Sequence, residues 1–213
     1  MENDRKLLSD LPLKDFLGKT AGNEPIPGGG SVSALNAALS AALTEMVANL
    51  TVGKKKYEDK EASMLEIIRQ AADYQREFSV DIDADSDAYN KVFEAFKLPK
   101  ETEEDKAERS RQIQAATKIA AEIPLKVAQN AYAMMDIIEK VAKDGNQNAV
   151  TDACVAMMCA RTAVLGALLN VRINLSSIHD AGYVACLKQE ADRLEKQAIE
   201  KETQLLEWIK TIF

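Results

Sequence analysis

Apolar residues recur at steps of three and four along most of this chain, and this period limits the fold more than any other feature. The longest run covers residues 59–96. Its apolar positions are Met64, Ile68, Ala71, Phe78, Ile82, Tyr89, Val92 and Phe96. Such spacing is typical of a helix that buries one face, and no useful stretch of the sequence alternates as a strand does.

Four more segments are predicted to be helical on the same grounds. They cover residues 31–50, Thr102 to about Gly145, about Asn148 to Val171, and about Asp180 to Ile212. Thr102 is a predicted N-cap, and Pro124 should kink the helix that follows it. The predicted fold is therefore all-α, a bundle of long antiparallel helices that forms a single domain over residues 1–213.

The segment 31–50 also has to be weighed as a membrane span, because Glu45 is its only charged residue. Its apolar character comes mostly from Ala, whereas membrane spans are rich in Leu, Ile, Val and Phe. We therefore favour a helix buried in a soluble bundle, without a membrane partner, over a membrane helix bundle. Alanine-rich faces also leave apolar surface for a second copy, which predicts a homodimer.

Charge and residue counts argue against several classes of function. The formal net charge is −7, so nucleic-acid binding is not expected, because phosphate contacts need surplus positive charge. Three cysteines without a CxxC pair, and a single histidine, predict neither a disulfide framework nor a zinc site. The polar N-terminus is unlike a signal peptide, so we expect a cytoplasmic protein. The residue counts above also lead us to expect no bound metal.

Three glycines, Gly28, Gly29 and Gly30, lead directly into the helix that starts near Ser31. Such a turn exposes backbone N–H groups at the positive end of a helix dipole, which suits a bound ligand. No GK[ST] follows, so the motif is not a P-loop. A flexible lead-in with Ser31 as N-cap explains the same residues equally well.

One aspartate of the acidic run 81–89 falls on the apolar stripe of its helix. Steps of four and three from Phe78 lead to Asp85, whereas Asp83 and Asp87 lie on other faces. The run lacks the glycine and the closing glutamate of a calcium loop. An inward carboxylate is costly unless it is paired, so Asp85 is either a functional group or half of a structural ion pair.

Two amide-bearing segments are weaker candidates. Asn170 and Asn174 lie four residues apart on one helix face, where a polar ligand or backbone groups could be their partners. The segment 145–152 reads as a helix stop and a new start, with Asn148 or Thr151 as cap.

The basic residues Lys54 and Lys55 form either a solvated turn or a clamp for a carboxylate or phosphate group. His179 has no visible partner base or ligand set and is interpreted as structural.

Together, these segments resemble the cyclodeaminase/cyclohydrolase family of folate enzymes. That family includes a domain of bifunctional formiminotransferase-cyclodeaminase and stand-alone methenyltetrahydrofolate cyclohydrolases. The likeness runs from about Leu11 to Lys188. The matching stretches are PGGGSVSALNAALSAALTEMVANLTVGKKKYED, DADSDAYNKVFEAFKLPKETEEDKAERSRQIQ, GNQNAVTDACVA and NVRINLSSIHD.

The resemblance implies a helical dimer that acts on tetrahydrofolate or its polyglutamate, without a metal or redox cofactor. It offers two reactions. One closes 5-formiminotetrahydrofolate to 5,10-methenyltetrahydrofolate with release of ammonia, and the other hydrolyses the methenyl compound to 10-formyltetrahydrofolate. A non-catalytic folate-binding dimer or interaction module is the alternative.

Within this resemblance, Asp85 is expected to stabilise the cationic methenyl bridge and to move a proton. Substrate contacts are expected from Gly28, Gly29, Gly30, Ser31, Lys54, Lys55, Asn148, Asp152, Asn170 and Asn174. The lysines suit the glutamate tail of a folate. The last two asparagines suit the pterin amide edge or a tetrahedral adduct, and Asn148 and Asp152 have no assigned role.

Overall fold

The computed structural model describes residues 6–212, and every regular element in that range is helical. One short and five long α-helices follow one another along the chain. They are α1 (Leu13–Thr20), α2 (Gly29–Asn49), α3 (Glu61–Phe96), α4 (Glu103–Asp144), α5 (Val150–Leu175) and α6 (Ala181–Ile209). Short 3-10 helices, Lys55–Lys60 and Gln147–Ala149, precede α3 and α5. The all-α prediction is confirmed, and the first five residues of the polar N-terminus lie outside the described range.

The five predicted helices correspond to α2 to α6, and α1 is not among the predictions. The Thr102 hydroxyl accepts a hydrogen bond from the Asp105 N–H at 3.0 Å and starts α4 as predicted. This helix then continues through Pro124 as one element. It ends before Gly145, where a Cβ atom would collide with the Val141 carbonyl oxygen.

Helices α2 and α5 form the centre of the bundle and run antiparallel. Gly29 at the start of α2 faces Asn170 near the end of α5. At the opposite end, the Thr51 hydroxyl accepts a hydrogen bond from the Asn146 N–H at 2.8 Å. Both helices contain fully buried alanines, whose small side chains let neighbouring backbones approach closely. These alanines are Ala34, Ala37 and Ala41 in α2 and Ala153, Ala156, Ala160, Ala163 and Ala167 in α5.

The other long helices pack against one side of this pair. Helix α3 lies against α2, and α4 lies between α3 and α5. An ion pair between Lys126 and Asp81, 3.2 Å apart, connects α4 with α3. Helix α6 covers α5, where Arg172 pairs with Asp192 at 2.8 Å. This arrangement brings the start of α2, the second half of α3, the middle of α4 and the end of α5 to one end of the bundle.

By length and composition, two helical segments of the described chain could cross a membrane, α2 and Gln147–Leu175. Half of the apolar window of each is buried inside the bundle. The other side carries exposed apolar side chains. On α2 these include Leu39, Met46 and Leu50, and on α5 they include Val155, Met158, Leu169 and Ile173. The predicted burial of segment 31–50 therefore holds for one side of its helix.

Candidate active site

A cavity of about 340 Å³ opens where α2 begins and α5 ends, and we call it the glycine-turn cavity. It is lined by Pro25, Ile26, Gly28, Gly29, Gly30, Asp85, Tyr89, Val92, Ala120, Asn170, Ile173 and Asn174. Ligand pockets typically measure about 300–1,000 Å³, so it can hold part of a small organic molecule. Asp85 is the one charged residue in this lining.

The carboxyl group of Asp85 lies directly against the second residue of α2. A Cβ atom on Gly30 would collide with all three atoms of that carboxyl group. Glycine is required here because any side chain would occupy the space of the carboxylate. Gly28 is the N-cap of α2 and Ser31 lies within its first turn, so the alternative of Ser31 as N-cap is wrong.

Ser31 fixes the position of the carboxylate. Its hydroxyl lies 2.8 Å from the Ile82 carbonyl oxygen, to which it donates, and 3.3 Å from Asp85 Oδ2. The backbone N–H of Ser31 also hydrogen-bonds with the carboxylate. Because this N–H belongs to the first turn of α2, the positive end of the helix dipole faces the negative charge.

Burial nevertheless raises the pKa of Asp85 above its ordinary value of 3.8. The hydrogen bonds from Ser31 act in the opposite direction and do not cancel the effect of burial. No lysine or arginine among residues 6–212 pairs with Asp85. The alternative of a structural ion pair therefore finds no support in this part of the chain.

Two neighbouring aspartates on α3 already have protein partners, which sets Asp85 apart. Asp81 is buried and pairs with Lys126. Asp83 is also buried, and its Oδ1 accepts a hydrogen bond from the Leu8 N–H at 2.6 Å. Asp85 is thus the carboxylate of this run that faces a cavity without a cation beside it.

The two asparagines of α5 line the cavity with side-chain oxygen atoms that have no partner among the described residues. The Asn170 amide donates to the Gly166 carbonyl at 2.9 Å. The Asn174 amide donates to the carbonyls of Ala120 and Asn170, each at 2.9 Å. Within residues 6–212, the Oδ1 atoms of both side chains accept no hydrogen bond, so each can receive one from a ligand N–H group.

Apolar side chains form the rest of the cavity wall. Tyr89 and Ile173 lie at the mouth, with 43% and 71% of their surface exposed, and Ile26 and Val92 complete the wall. A tyrosine ring at a cavity mouth can stack on a flat heterocycle. None of the four was predicted as a site residue, although Tyr89 follows Asp85 by one helical turn and could have been found from that spacing.

Four predicted substrate-binding residues lie elsewhere in the chain. Lys54 and Lys55 follow the far end of α2, about 30 Å from Gly30 at 1.5 Å per residue. They line a separate depression together with Glu58 and Glu61.

Asn148 and Asp152 lie at the start of α5, about 27 Å along the helix from Asn170. The Asn148 N–H donates to Asn146 Oδ1 at 3.2 Å, so the cap of this turn is Asn146 and not Asn148 or Thr151. Within one chain, Lys54, Lys55, Asn148 and Asp152 do not reach the cavity. Their substrate contacts stay predictions.

The contact between Gly30 and Asp85 can be tested by adding one methyl group. Gly30→Ala should lower the free energy of unfolding by about 1–3 kcal/mol, because the methyl group and the carboxylate compete for one space. Gly182→Ala is the matched control, since Gly182 is also the second residue of its helix and the nearest atom to an added Cβ, Asp180 Oδ1, would be 3.7 Å away. That control should be neutral or stabilising by up to about 1 kcal/mol.

Urea denaturation measures both changes, and Asp85→Ala in the Gly30→Ala background should recover part of the loss. Equal effects of the two alanine substitutions, or no recovery in the double variant, would contradict this description of the contact.

Known proteins resemble this chain over nearly its whole length. Residues 12–193 match the protein family described as formiminotransferase-cyclodeaminase. The methenyltetrahydrofolate cyclohydrolase of Methylorubrum extorquens is 35% identical over 93% of this chain and 96% of its own length. The formimidoyltransferase-cyclodeaminase of Sus scrofa is 33% identical over 88% of this chain. That match covers 35% of the relative, so this chain spans about a third of the bifunctional protein.

A solved structure shares the fold. The crystal structure of formiminotetrahydrofolate cyclodeaminase from Thermotoga maritima superposes with a TM-score of 0.86 at 30% sequence identity. The match covers 96% of this chain and 98% of that protein. The resemblance predicted from the sequence motifs is confirmed, and this chain belongs to the formiminotransferase-cyclodeaminase family.

Proposed function

We propose that this protein is a folate one-carbon enzyme that acts on the carbon bridging N5 and N10 of tetrahydrofolate. The observation that carries the proposal is the partly buried Asp85 carboxylate, held by Ser31 and Gly30 at a cavity whose lining contains no cation. A desolvated anion stabilises a ligand cation more than the same anion in water. The methenyl bridge of 5,10-methenyltetrahydrofolate is such a cation, with its charge spread over two nitrogens.

Hydrolysis of this bridge is the first proposed reaction, because the relative named methenyltetrahydrofolate cyclohydrolase matches over 96% of its own length. Asp85 accepts a proton from a water molecule while the water oxygen bonds to the methenyl carbon. A neutral tetrahedral adduct results. Asp85 then returns the proton to N5 as the bond from carbon to N5 breaks. The adduct hydroxyl loses its proton to solvent and becomes the carbonyl of 10-formyltetrahydrofolate.

Ammonia release is the second proposed reaction, favoured by the cyclodeaminase name of the solved relative. The terminal nitrogen of the formimino group of 5-formiminotetrahydrofolate carries an extra proton from solvent, as an amidinium. N10 bonds to the formimino carbon, which leaves a neutral amino group on that carbon, and Asp85 takes the N10 proton. The protonated carboxyl group gives this proton to the amino group of the adduct. Ammonia leaves and the cationic methenyl bridge forms beside the carboxylate. One group thus serves both reactions, because both pass through a tetrahedral carbon between N5 and N10.

The remaining lining residues bind and orient the substrate. Asn170 and Asn174 accept hydrogen bonds from pterin N–H groups through their free Oδ1 atoms. The ring of Tyr89 packs on the flat part of the substrate, and Ile173 covers it from the opposite helix. Gly28 and Gly29 let backbone approach the ligand closely. The proposed chemistry is acid–base catalysis and uses no metal or redox cofactor.

Asp85→Asn tests the central role of the carboxylate. The rate of methenyltetrahydrofolate hydrolysis or formation, measured by absorbance, should fall at least a hundredfold, because general acid–base catalysis contributes about 10²–10⁴ in rate. Asp73→Asn on the exposed part of the same helix is the control and should keep full activity. If Asp85→Asn binds folate and turns it over at the wild-type rate, the catalytic assignment is wrong. Folate binding by the wild type without turnover would favour the non-catalytic alternative.

The pH dependence of rate and stability provides a second test. Activity that requires the ionised form should decline as the pH falls through the raised pKa of Asp85, so the acidic limb of kcat/KM should have its midpoint above 3.8. Since folding raises this pKa, the ionised carboxylate costs stability above the folded pKa, and that cost disappears at pH values below the unfolded pKa. Asp85→Asn should therefore unfold at an equal or higher urea concentration at pH 7. A less stable Asp85→Asn protein would indicate a structural carboxylate instead.

We also propose that the protein is a homodimer that covers the exposed apolar sides of α2 and α5. Leu39, Met46 and Leu50 on α2 follow one helical face, as do Val155, Met158 and Leu169 on α5. Contiguous apolar surface of this kind marks a contact site. Ile173 continues the α5 face into the wall of the glycine-turn cavity, so this apolar surface adjoins the site. We favour a second copy of the chain as the occupant of this surface.

Sedimentation without detergent should show a dimer, and Leu169→Lys should shift the protein to monomers because it places a charge in the contact. Leu65→Lys is the control, since Leu65 is exposed to a similar degree on α3. A monomeric wild type, or a wild type that needs detergent to stay in solution, would contradict the dimer proposal.

A further inference from the structure

A second cavity of about 510 Å³ lies beside the glycine-turn cavity, and we call it the lysine cavity. Its lining residues are Lys6, Leu8, Leu11, Lys19, Glu24, Ile26 and Asn90. The two cavities share Ile26, and Asn90 directly follows Tyr89 of the first cavity along α3. The two cavities are therefore neighbours that adjoin at Ile26.

A folate bound by the glycine-turn cavity has to extend beyond it. The cavity volume of about 340 Å³ is at the small end of the range for ligand pockets. The one-carbon bridge at Asp85 and the pterin ring occupy this space. The aminobenzoyl group and the glutamate tail then reach a neighbouring surface. Two cavities can receive them: the lysine cavity and a groove of about 700 Å³ between α3 and α4.

The charges of the two cavities favour the lysine cavity as the binding site of the glutamate tail. The lysine cavity has two cationic side chains, Lys6 and Lys19, and one acidic side chain, Glu24. The groove has the reverse balance, since three of its four charged residues are acidic. The acidic residues are Asp87, Glu94 and Glu108, and the fourth charged residue is Lys91. A glutamate tail carries a negative charge at each carboxylate and is repelled by the groove and attracted by the lysine cavity.

Both lysines are available for a ligand. Within residues 6–212, the side-chain ammonium groups of Lys6 and Lys19 form no hydrogen bond or ion pair. The segment that carries Lys6 is held in place by Asp83, which accepts hydrogen bonds from the Leu8 N–H at 2.6 Å and the Ser9 hydroxyl at 2.7 Å. Lys19 lies in the last turn of α1. Each cation is therefore attached to backbone of defined position.

We propose that Lys6 and Lys19 bind the glutamate tail of the substrate in the lysine cavity. This inference rests on the proposed function and names the tail-binding residues of the same site. The resemblance suggested instead that Lys54 and Lys55 bind the tail. These two lysines follow the far end of α2, about 30 Å from Gly30.

The test compares three substrates that share the methenyl bridge. They are 5,10-methenyltetrahydropteroate, which has no glutamate, and 5,10-methenyltetrahydrofolate with one and with three glutamates. Lys6→Glu and Lys19→Glu should each raise KM for the triglutamate roughly threefold or more and leave kcat unchanged, since each removes one attraction and adds one repulsion. Glu24→Gln should change KM in the opposite direction. All three effects should vanish with the pteroate and weaken at high salt.

Lys14→Glu is the matched control, because Lys14 lies on the same helix, is exposed and does not line the cavity. It should leave KM unchanged for all three substrates. Lys19→Gln provides a neutral version should the charge reversal disturb folding. Lysine variants that change KM equally with and without a tail would overturn the inference. So would a dependence on tail length that responds to Lys54→Glu and Lys55→Glu instead.

If the proposed enzymatic function is wrong, the experiment gives a result that differs from a failure of the tail-site inference alone. In that case the wild type does not turn over any of the three compounds. Calorimetric binding of the same compounds then tests the tail site separately. Affinity that rises with tail length in the wild type and not in Lys19→Glu supports the inference, and affinity independent of tail length contradicts it.

Discussion

The contact between the Gly30 backbone and the Asp85 carboxylate is the constraint on which the site depends. It places an acidic group against the first turn of α2, where the helix dipole and the Ser31 N–H stabilise the negative charge. Burial acts in the opposite direction and raises the pKa. The carboxylate is thus held in position by the protein while its charge is left for a ligand to compensate. A cationic reaction intermediate meets that requirement, which is why the fold and the proposed chemistry agree.

The helices could be predicted from local sequence because their signals are local. The steps of three and four from Phe78 to Phe96 indicated α3 and also placed Asp85 on its inward face. Thr102 and Gly145 marked the ends of α4, where one provides a hydrogen-bonding hydroxyl and the other leaves space for the Val141 carbonyl. The short helix α1 was missed, since its single buried residue, Phe16, gives no periodic pattern.

The site was predicted in part, and the missing part has a physical cause. Gly30, Asp85 and Asn170 come from three helices and meet only because α2 runs antiparallel to both α3 and α5. The resemblance to a known family assigned these three residues to one site, and the structure places them around one cavity. The same resemblance grouped Lys54 with them, although α2 carries the lysine to the opposite end of the bundle. Side chains from loops and helix ends, such as Ile26 and Lys19, become neighbours through packing that no spacing in the sequence encodes.

The hydrogen bond from the Ser31 hydroxyl to the Ile82 carbonyl has a consequence for how a ligand enters and leaves. It joins α2 to α3 within one turn of Asp85, so sliding one helix along the other would break it and move Gly30 against the Asp85 carboxylate. A shear of these two helices during exchange of substrate and product would therefore lose this bond, at a cost of about 0.5–1.5 kcal/mol, and would also produce that clash. Tyr89 and Ile173 are exposed at the entrance of the cavity, and rotation of their side chains would disturb neither this hydrogen bond nor the contact between Gly30 and Asp85.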